Sequence, residues 1–217
     1  MKPFMLVIVT MWLISCNHTR MVQTNAPTNQ TNTATQLVKN NNSNNVTGNN
    51  NLNNSKIINN PPAITHLLGV HPIADLRQAP FADWFLPNYQ AYQPDSLRIP
   101  KIKELLKGKT LQIFLGTWCG DSRREVPRML KILADAGFDS SKLQLVFVNN
   151  TPEQYKKSPG HEEQGKNIVR VPTLIVYKDK TEIGRFIEYP KESIEKDLLK
   201  MLQGESYEPN YFGKTVQ

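Results

Sequence analysis

The residue of this sequence best suited to covalent chemistry is Cys119, which follows a short apolar run and precedes a helical pattern. A thiolate is the nucleophile of disulfide exchange, and a helix N-terminus favours the thiolate because unpaired N–H groups and the positive end of the helix dipole lie there. Arg123 and Arg124 add positive charge in the first helical turn, whereas Asp121 opposes them. The position therefore predicts a Cys119 thiolate that is appreciably populated near neutral pH.

An alternative role for Cys119 is that of a small apolar residue in a turn that has lost its redox function. The neighbours Trp118 and Gly120 favour a reactive thiol, because they keep the exposed character that site-selective reactivity needs. We therefore interpret Cys119 as a nucleophile, with Trp118, Gly120 and Asp121 forming the turn around it.

Ser122 stands three residues after the cysteine, at the position of the second thiol in a Cys-x-x-Cys pair. Its hydroxyl group is able to donate a hydrogen bond to the sulfur of Cys119, but it cannot form a disulfide. Because exchange passes through a mixed disulfide, the adduct must wait for a thiol from outside the chain. The sequence thus predicts a monothiol site without autonomous two-electron reduction.

The segment Phe114-Leu115-Gly116-Thr117-Trp118-Cys119-Gly120-Asp121-Ser122 resembles the strand and redox turn of thioredoxins. Pro127 matches the proline that bends their second helix, and Val171-Pro172-Thr173 matches their cis-proline loop. The resemblance covers roughly residues 101–203 and implies a thioredoxin fold, an α/β fold with a central mixed β-sheet flanked by helices. Thioredoxins usually bury an acidic residue beneath the turn for proton transfer, and this sequence departs from them with Ile113.

Two functions are compatible with this resemblance. The first is a thiol–disulfide oxidoreductase of the monothiol type, in which Cys119 and Ser122 are catalytic and the partners are disulfide- or thiol-bearing proteins or small thiols. The second is an adaptor without turnover that binds partner polypeptides at the cis-proline edge, where an extended peptide adds by strand-type hydrogen bonds. In both, the substrate groove is formed by Val171, Pro172 and Thr173.

The elements that position these residues follow from the apolar pattern. Two short apolar runs at 110–115 and 143–148 predict strands, and the helical segment 125–137 between them implies that they pair in parallel. The long loop 151–170 has two interpretations, a segment that flanks the substrate edge and, as the preferred one, a solvated helical loop. The remaining predictions are an aromatic segment at 80–92 packed on the sheet, a helix at 94–108, a hairpin of strands 173–177 and 181–188, and a final helix at 190–202.

The N-terminus has the layout of a secretory signal, with Lys2 followed by an apolar stretch at 4–14. That stretch spans about 16 Å as a helix, which is short of the roughly 30 Å of a membrane core. The tetrad Leu13-Ile14-Ser15-Cys16 resembles the lipobox of bacterial lipoproteins. The resemblance implies cleavage after residue 15 and lipidation of Cys16, with acyl chains that anchor the protein to a membrane.

Residues 24–60 contain fifteen asparagines, six threonines and no acidic residue, so they bury too little apolar surface to offset the entropy of ordering. A flexible coil of this length reaches about 33 Å.

Asn17, after the acylated cysteine, favours the periplasmic face of the outer membrane by analogy with lipoprotein sorting. The predicted organisation is a signal peptide (1–15), a disordered tether (16–60), an N-terminal extension (61–100), a thioredoxin-like domain (101–203) and a C-terminal tail (204–217).

The charge distribution argues against nucleic-acid binding. The formal net charge is +7, but all nineteen acidic residues lie after residue 60 together with 22 of the 26 lysines and arginines, which leaves +3 there. The sequence predicts no cofactor and no metal site. The four histidines, which lack the spacing of metal ligands, are His18, His66, His71 and His161.

Overall fold

The computed structural model describes residues 65–216 of the chain. The predicted signal peptide, the lipidated Cys16, the tether and the first four residues of the extension lie outside the described residues. Among the helices of 65–216, none has the length and apolar character needed to cross a membrane. The strands are β1 (Gly69–His71), β2 (Lys109–Leu115), β3 (Leu143–Phe147), β4 (Thr173–Lys178) and β5 (Thr181–Ile187), and the helices are α1 (Ala82–Ala91), α2 (Ile99–Leu105), α3 (Gly120–Asp135) and α4 (Ile194–Gln203).

The strands form one mixed sheet in the order β1-β3-β2-β4-β5, so the fold is α/β with helices flanking a five-stranded sheet. β2 and β3 pair in parallel, as predicted, because α3 carries the chain from the end of one strand back to the start of the next. The other pairs are antiparallel, including the β4–β5 hairpin. The turn that carries Cys119 therefore leaves the C-terminal end of the central strand.

Two apolar clusters lie on opposite faces of the sheet, because successive side chains of a strand point in opposite directions. Leu111, Ile113 and Leu115 of β2 belong to the larger cluster, to which all four helices contribute. Phe114 belongs to the smaller cluster, which Ile168 and Val171 of the long loop also join. The segment after β3 thus covers part of the second face and connects the core to the predicted substrate edge.

The described part of the extension belongs to the same core. β1 pairs antiparallel with β3, with Gly69 opposite Phe147 and His71 opposite Leu145. Phe85 of α1 is fully buried in the larger cluster. The aromatic segment packs mainly against α3, whereas the sequence analysis placed it on the sheet.

Several boundaries differ from the predicted ones. α3 begins at Gly120 instead of 125, because its first turn is polar and does not show the apolar periodicity. α2 begins at Ile99 instead of 94, because the residues just before it form a turn. α4 begins at Ile194, where the Ser193 hydroxyl caps it by accepting from the Lys196 N–H. The loop 151–170 contains one short 3₁₀ turn, at Pro152–Gln154, so the prediction of a helical loop was largely wrong.

Candidate functional site

Cys119 is the N-cap residue of α3, four residues after the end of β2. Its backbone is extended, and its carbonyl oxygen accepts the first helical hydrogen bond, from the Arg123 N–H at 3.0 Å. The side chain makes no capping hydrogen bond and is partly exposed. The unpaired amide groups at the start of α3 therefore remain free of the cap that a serine or aspartate would supply.

The sulfur of Cys119 contacts the loop before β4. Its thiol donates a hydrogen bond to the Val171 carbonyl oxygen, with a sulfur–oxygen distance of 3.3 Å, and the Val171–Pro172 peptide bond is cis. This contact belongs to the protonated thiol, because a thiolate has no proton to donate to a carbonyl. The structure thus brings Cys119, Val171 and Pro172 together, with Thr173 buried as the first residue of β4.

Ser122 does not have the partner that the sequence suggested. Its hydroxyl oxygen is fully buried and accepts a hydrogen bond from the Gly116 N–H at 3.2 Å. Among the hydrogen bonds of residues 65–216, Ser122 makes none with the sulfur of Cys119. The Ser122 side chain thus points towards the segment that follows β2. Ser122 therefore fixes the shape of the turn and does not touch the nucleophile in this conformation.

Trp118 is anchored by three contacts of its indole ring. The ring N–H donates to the Val148 carbonyl oxygen at 2.8 Å. The ring lies 5.8 Å from that of Tyr155, centroid to centroid, and it covers Gly116 so closely that a Cβ atom there would lie 2.5 Å from a ring carbon. Gly116 is therefore needed for the approach of the indole to the backbone.

Replacing Gly116 with alanine is expected to displace the Trp118 ring and to lower the free energy of unfolding by about 1–3 kcal/mol, the usual cost of overpacking. Urea unfolding, followed by tryptophan fluorescence, measures the loss. Gly120→Ala is the matched control, because a Cβ atom there meets nothing within 4 Å. Equal stability of the two variants would contradict the assigned packing.

The two arginines predicted to charge the helix start have different hydrogen-bond partners. Arg124 pairs with Asp121 and with Glu125, each at 2.6 Å. Arg123 donates to the Thr117 carbonyl oxygen at 2.6 Å, and its guanidinium group lies 5.8 Å from the ring centroid of Trp84. Carboxylates compensate the charge of Arg124, whereas Arg123 stays beside the turn through the Thr117 carbonyl oxygen.

Lys156 is a buried cation next to Tyr155, whose ring contacts that of Trp118, and its burial was not predicted from the sequence. It is only 8% exposed, its ammonium group donates to the Val169 carbonyl oxygen at 2.5 Å, and it lies 4.5 Å from the ring centroid of Tyr155. Burial lowers the pKa of Lys156, and the charge of Arg170 lowers it further, while the charges of Glu188 and Cys119 act in the opposite direction. Burial is the largest of these effects on the pKa of Lys156, and the charge of Cys119 is the smallest.

Replacing Lys156 with methionine is expected to slow alkylation of Cys119 at pH 7 by about threefold to tenfold, because a nearby buried cation stabilises the thiolate. Iodoacetamide is uncharged, so its rate reports the thiolate fraction and not attraction of the reagent. Lys178→Met is the control, because Lys178 is exposed at the opposite end of the central strands. An unchanged rate in the Lys156 variant would contradict the role.

Two of the three histidines in residues 65–216 lie near a carboxylate. His71 contacts Asp75 at 2.8 Å, and His161 lies 3.8 Å from Glu163. Within residues 65–216 no group of three histidine, cysteine, aspartate or glutamate side chains is placed to hold a metal ion. The arrangement at the turn is thus one thiol, one buried lysine and a backbone edge.

Comparison with known proteins identifies no family for this chain. No protein-family model matches it, and no curated protein matches it. Two solved structures are similar at 13% identity. One is an HIV epitope-scaffold, with a TM-score of 0.47 over 63% of this chain and 94% of that chain. The other is a Pseudomonas aeruginosa protein of unknown function, with a TM-score of 0.36 over 57% of this chain and 81% of that chain.

Proposed function

We propose that residues 101–203 form a thioredoxin fold and that the protein is a monothiol thiol–disulfide oxidoreductase with Cys119 as its nucleophile. The observation that carries this proposal is the sulfur of Cys119 at the start of α3, 3.3 Å from the carbonyl oxygen of Val171. The parallel pairing of β2 with β3 and the β4–β5 hairpin before α4 support the fold.

The reaction begins when Cys119 loses its proton to solvent and its sulfur turns from Val171 towards the amide groups of α3. The thiolate attacks one sulfur of a substrate disulfide, so a mixed disulfide forms and the second substrate sulfur leaves as a thiolate that takes up a proton. Ile113 is buried and apolar, so it cannot relay that proton. A thiol from outside then attacks the Cys119 sulfur of the mixed disulfide, so the substrate leaves as a thiol. A second outside thiol attacks the resulting adduct, and Cys119 returns as a thiolate while the outside thiol leaves as its own disulfide.

The location of the protein is part of the proposal. We infer a signal peptide at 1–15, lipidation at Cys16 and a tether that holds the domain at the periplasmic face of the outer membrane. The support is the lipobox-like tetrad and the asparagine-rich composition that follows it. Mass spectrometry of the protein from a bacterial membrane fraction tests this: an unmodified N-terminus at residue 1 would contradict it.

The catalytic proposal is tested with the full chain carrying Cys16→Ser, in which Cys119 is the one remaining thiol. A fluorescent peptide joined by a disulfide to an uncharged small thiol is mixed with this protein and with 2-mercaptoethanol. We expect release of the peptide to be accelerated by about tenfold or more, and a further Cys119→Ser substitution to abolish the acceleration. Equal rates in both proteins would overturn the enzyme, and peptide binding without acceleration would favour the adaptor.

A further inference from the structure

A cavity of about 650 Å³ lies beside the candidate site. Its walls come from three parts of the chain: the start of the long loop, the residues just before the cis-proline, and the C-terminal segment. The side chains that matter for its chemistry are Tyr155, Lys156, Arg170, Tyr211 and Lys214. Its size is within the range of sites that bind small molecules.

The walls are strongly cationic. Four positively charged side chains contribute to them, namely Lys156, Lys157, Arg170 and Lys214, against the single carboxylate of Glu153. A second carboxylate, Glu188, lies 3.9 Å from Arg170 and accepts a hydrogen bond from the Tyr211 hydroxyl at 2.5 Å. Even with that carboxylate included, positive charge is in excess, so the cavity attracts an anion.

Three connections place this cavity next to the thiol. The ring of Tyr155 contacts that of Trp118, with the centroids 5.8 Å apart. Arg170 directly precedes Val171, whose carbonyl oxygen accepts from the sulfur of Cys119. The charge of Cys119 is one of those that raise the pKa of Lys156 in the cavity wall, against the larger effect of burial. The walls of the cavity therefore adjoin the residues that flank Cys119.

We propose that this cavity binds the outside thiol of the exchange, and that this thiol is a small molecule bearing carboxylate groups. The inference rests on the proposed function, because a chain with a single reactive thiol needs a second one to complete each turnover. Arginine and lysine side chains recognise carboxylates by charge-assisted hydrogen bonds, and the flanking tyrosine rings supply apolar surface for the rest of the ligand.

The exchange balances as follows. The ligand thiolate attacks the sulfur of Cys119 in the mixed disulfide, a disulfide forms between ligand and Cys119, and the substrate leaves as a thiolate that takes a proton from water. A second ligand thiolate attacks the ligand sulfur of this adduct. The ligand is then released as its own disulfide, and Cys119 returns as a thiolate. Each turnover therefore reduces one substrate disulfide and oxidises two ligand thiols.

The test compares two thiols on the full chain carrying Cys16→Ser, after Cys119 has been loaded with an uncharged thiopyridyl group. Release of thiopyridone by mercaptosuccinate and by 2-mercaptoethanol is followed by absorbance, and each rate is divided by that of the same thiol with a thiopyridyl-cysteine peptide. We expect the corrected ratio of mercaptosuccinate to 2-mercaptoethanol to fall by about fivefold in Lys214→Gln, the effect of one partly exposed charge. Lys178→Gln, distant from the cavity, is expected to keep the ratio.

Lys214 is a suitable probe because its side chain is exposed, and its hydrogen bonds to Asn167 and Tyr211 are made by backbone atoms. An unchanged ratio in Lys214→Gln, on protein that loads normally, would overturn the cavity assignment and leave the proposed function standing. Failure of folded protein to accept the thiopyridyl group would instead overturn the reactive thiol, and the cavity assignment with it.

Discussion

Replacing Ser122 with cysteine is expected to give a protein that releases its own mixed disulfide without an added thiol. Residues three apart at a helix start have Cβ atoms about 5–6 Å apart, and α3 begins directly after Cys119. A disulfide needs Cβ atoms about 3.5–4.5 Å apart, so closure requires a small backbone shift at Cys119, the N-cap residue, together with rotation of the new side chain away from Gly116. Because a tethered thiol acts at an effective concentration far above that of a millimolar thiol in solution, we expect release at least about 100-fold faster than in the parent.

The measurement uses the Cys16→Ser chain loaded with a disulfide-linked fluorescent peptide at Cys119, in buffer without thiol. Ser141→Cys is the matched control, because Ser141 is exposed in the 3₁₀ turn before β3 and supplies a thiol away from the candidate site. A Ser122→Cys adduct that persists as long as the parent adduct would contradict the geometry. Rapid release from the parent would contradict the need for an outside thiol.

Replacing Phe85 with alanine is expected to lower the free energy of unfolding by about 3–5 kcal/mol, the cost of removing a phenyl ring from a packed core. Phe85 is fully buried, although it lies in the N-terminal extension. Its ring stacks on Tyr89 with centroids 5.7 Å apart, and the guanidinium group of Arg77 lies 5.4 Å from its centroid. The extension is thus expected to be part of the cooperative fold.

Chemical denaturation of the Cys16→Ser chain with and without the substitution measures this loss. Leu97→Ala is the control from the same extension, because Leu97 is 88% exposed and its truncation is expected to change stability by less than about 0.5 kcal/mol. If the two variants lost the same small amount, the extension would be an accessory and not a part of the core.

The central elements of the fold could be predicted because their signals are local. β2 and β3 are short apolar runs bounded by polar residues, and each was placed within one residue of its limits. β1 was missed because it is three residues long and exists through its pairing with β3, which no local pattern reveals. The start of α3 was placed late, because Gly120, Asp121 and Ser122 begin the helix before its apolar face appears.

The same difference between local and long-range signals applies to the residues of the candidate site. Cys119 was identified from its residue type and its place before a helix, and Val171 from the resemblance to the thioredoxin cis-proline loop; the structure brings the two into contact. Lys156 was not identified, because its burial depends on the carbonyl oxygen of Val169, thirteen residues away. The partner of Ser122 was also misplaced, since the direction of its hydroxyl depends on how the chain leaves β2. Side-chain environment, unlike residue order, is set by the folded chain.

The most direct test is the alkylation of Cys119 by iodoacetamide at pH 7, followed by mass spectrometry on the folded Cys16→Ser chain and on the same chain in urea. If the start of α3 and the charge of Lys156 stabilise the thiolate, the folded protein reacts about tenfold faster than the unfolded chain. Folded protein that is inert to the reagent, while the unfolded chain reacts normally, would contradict the assignment of Cys119 as a nucleophile.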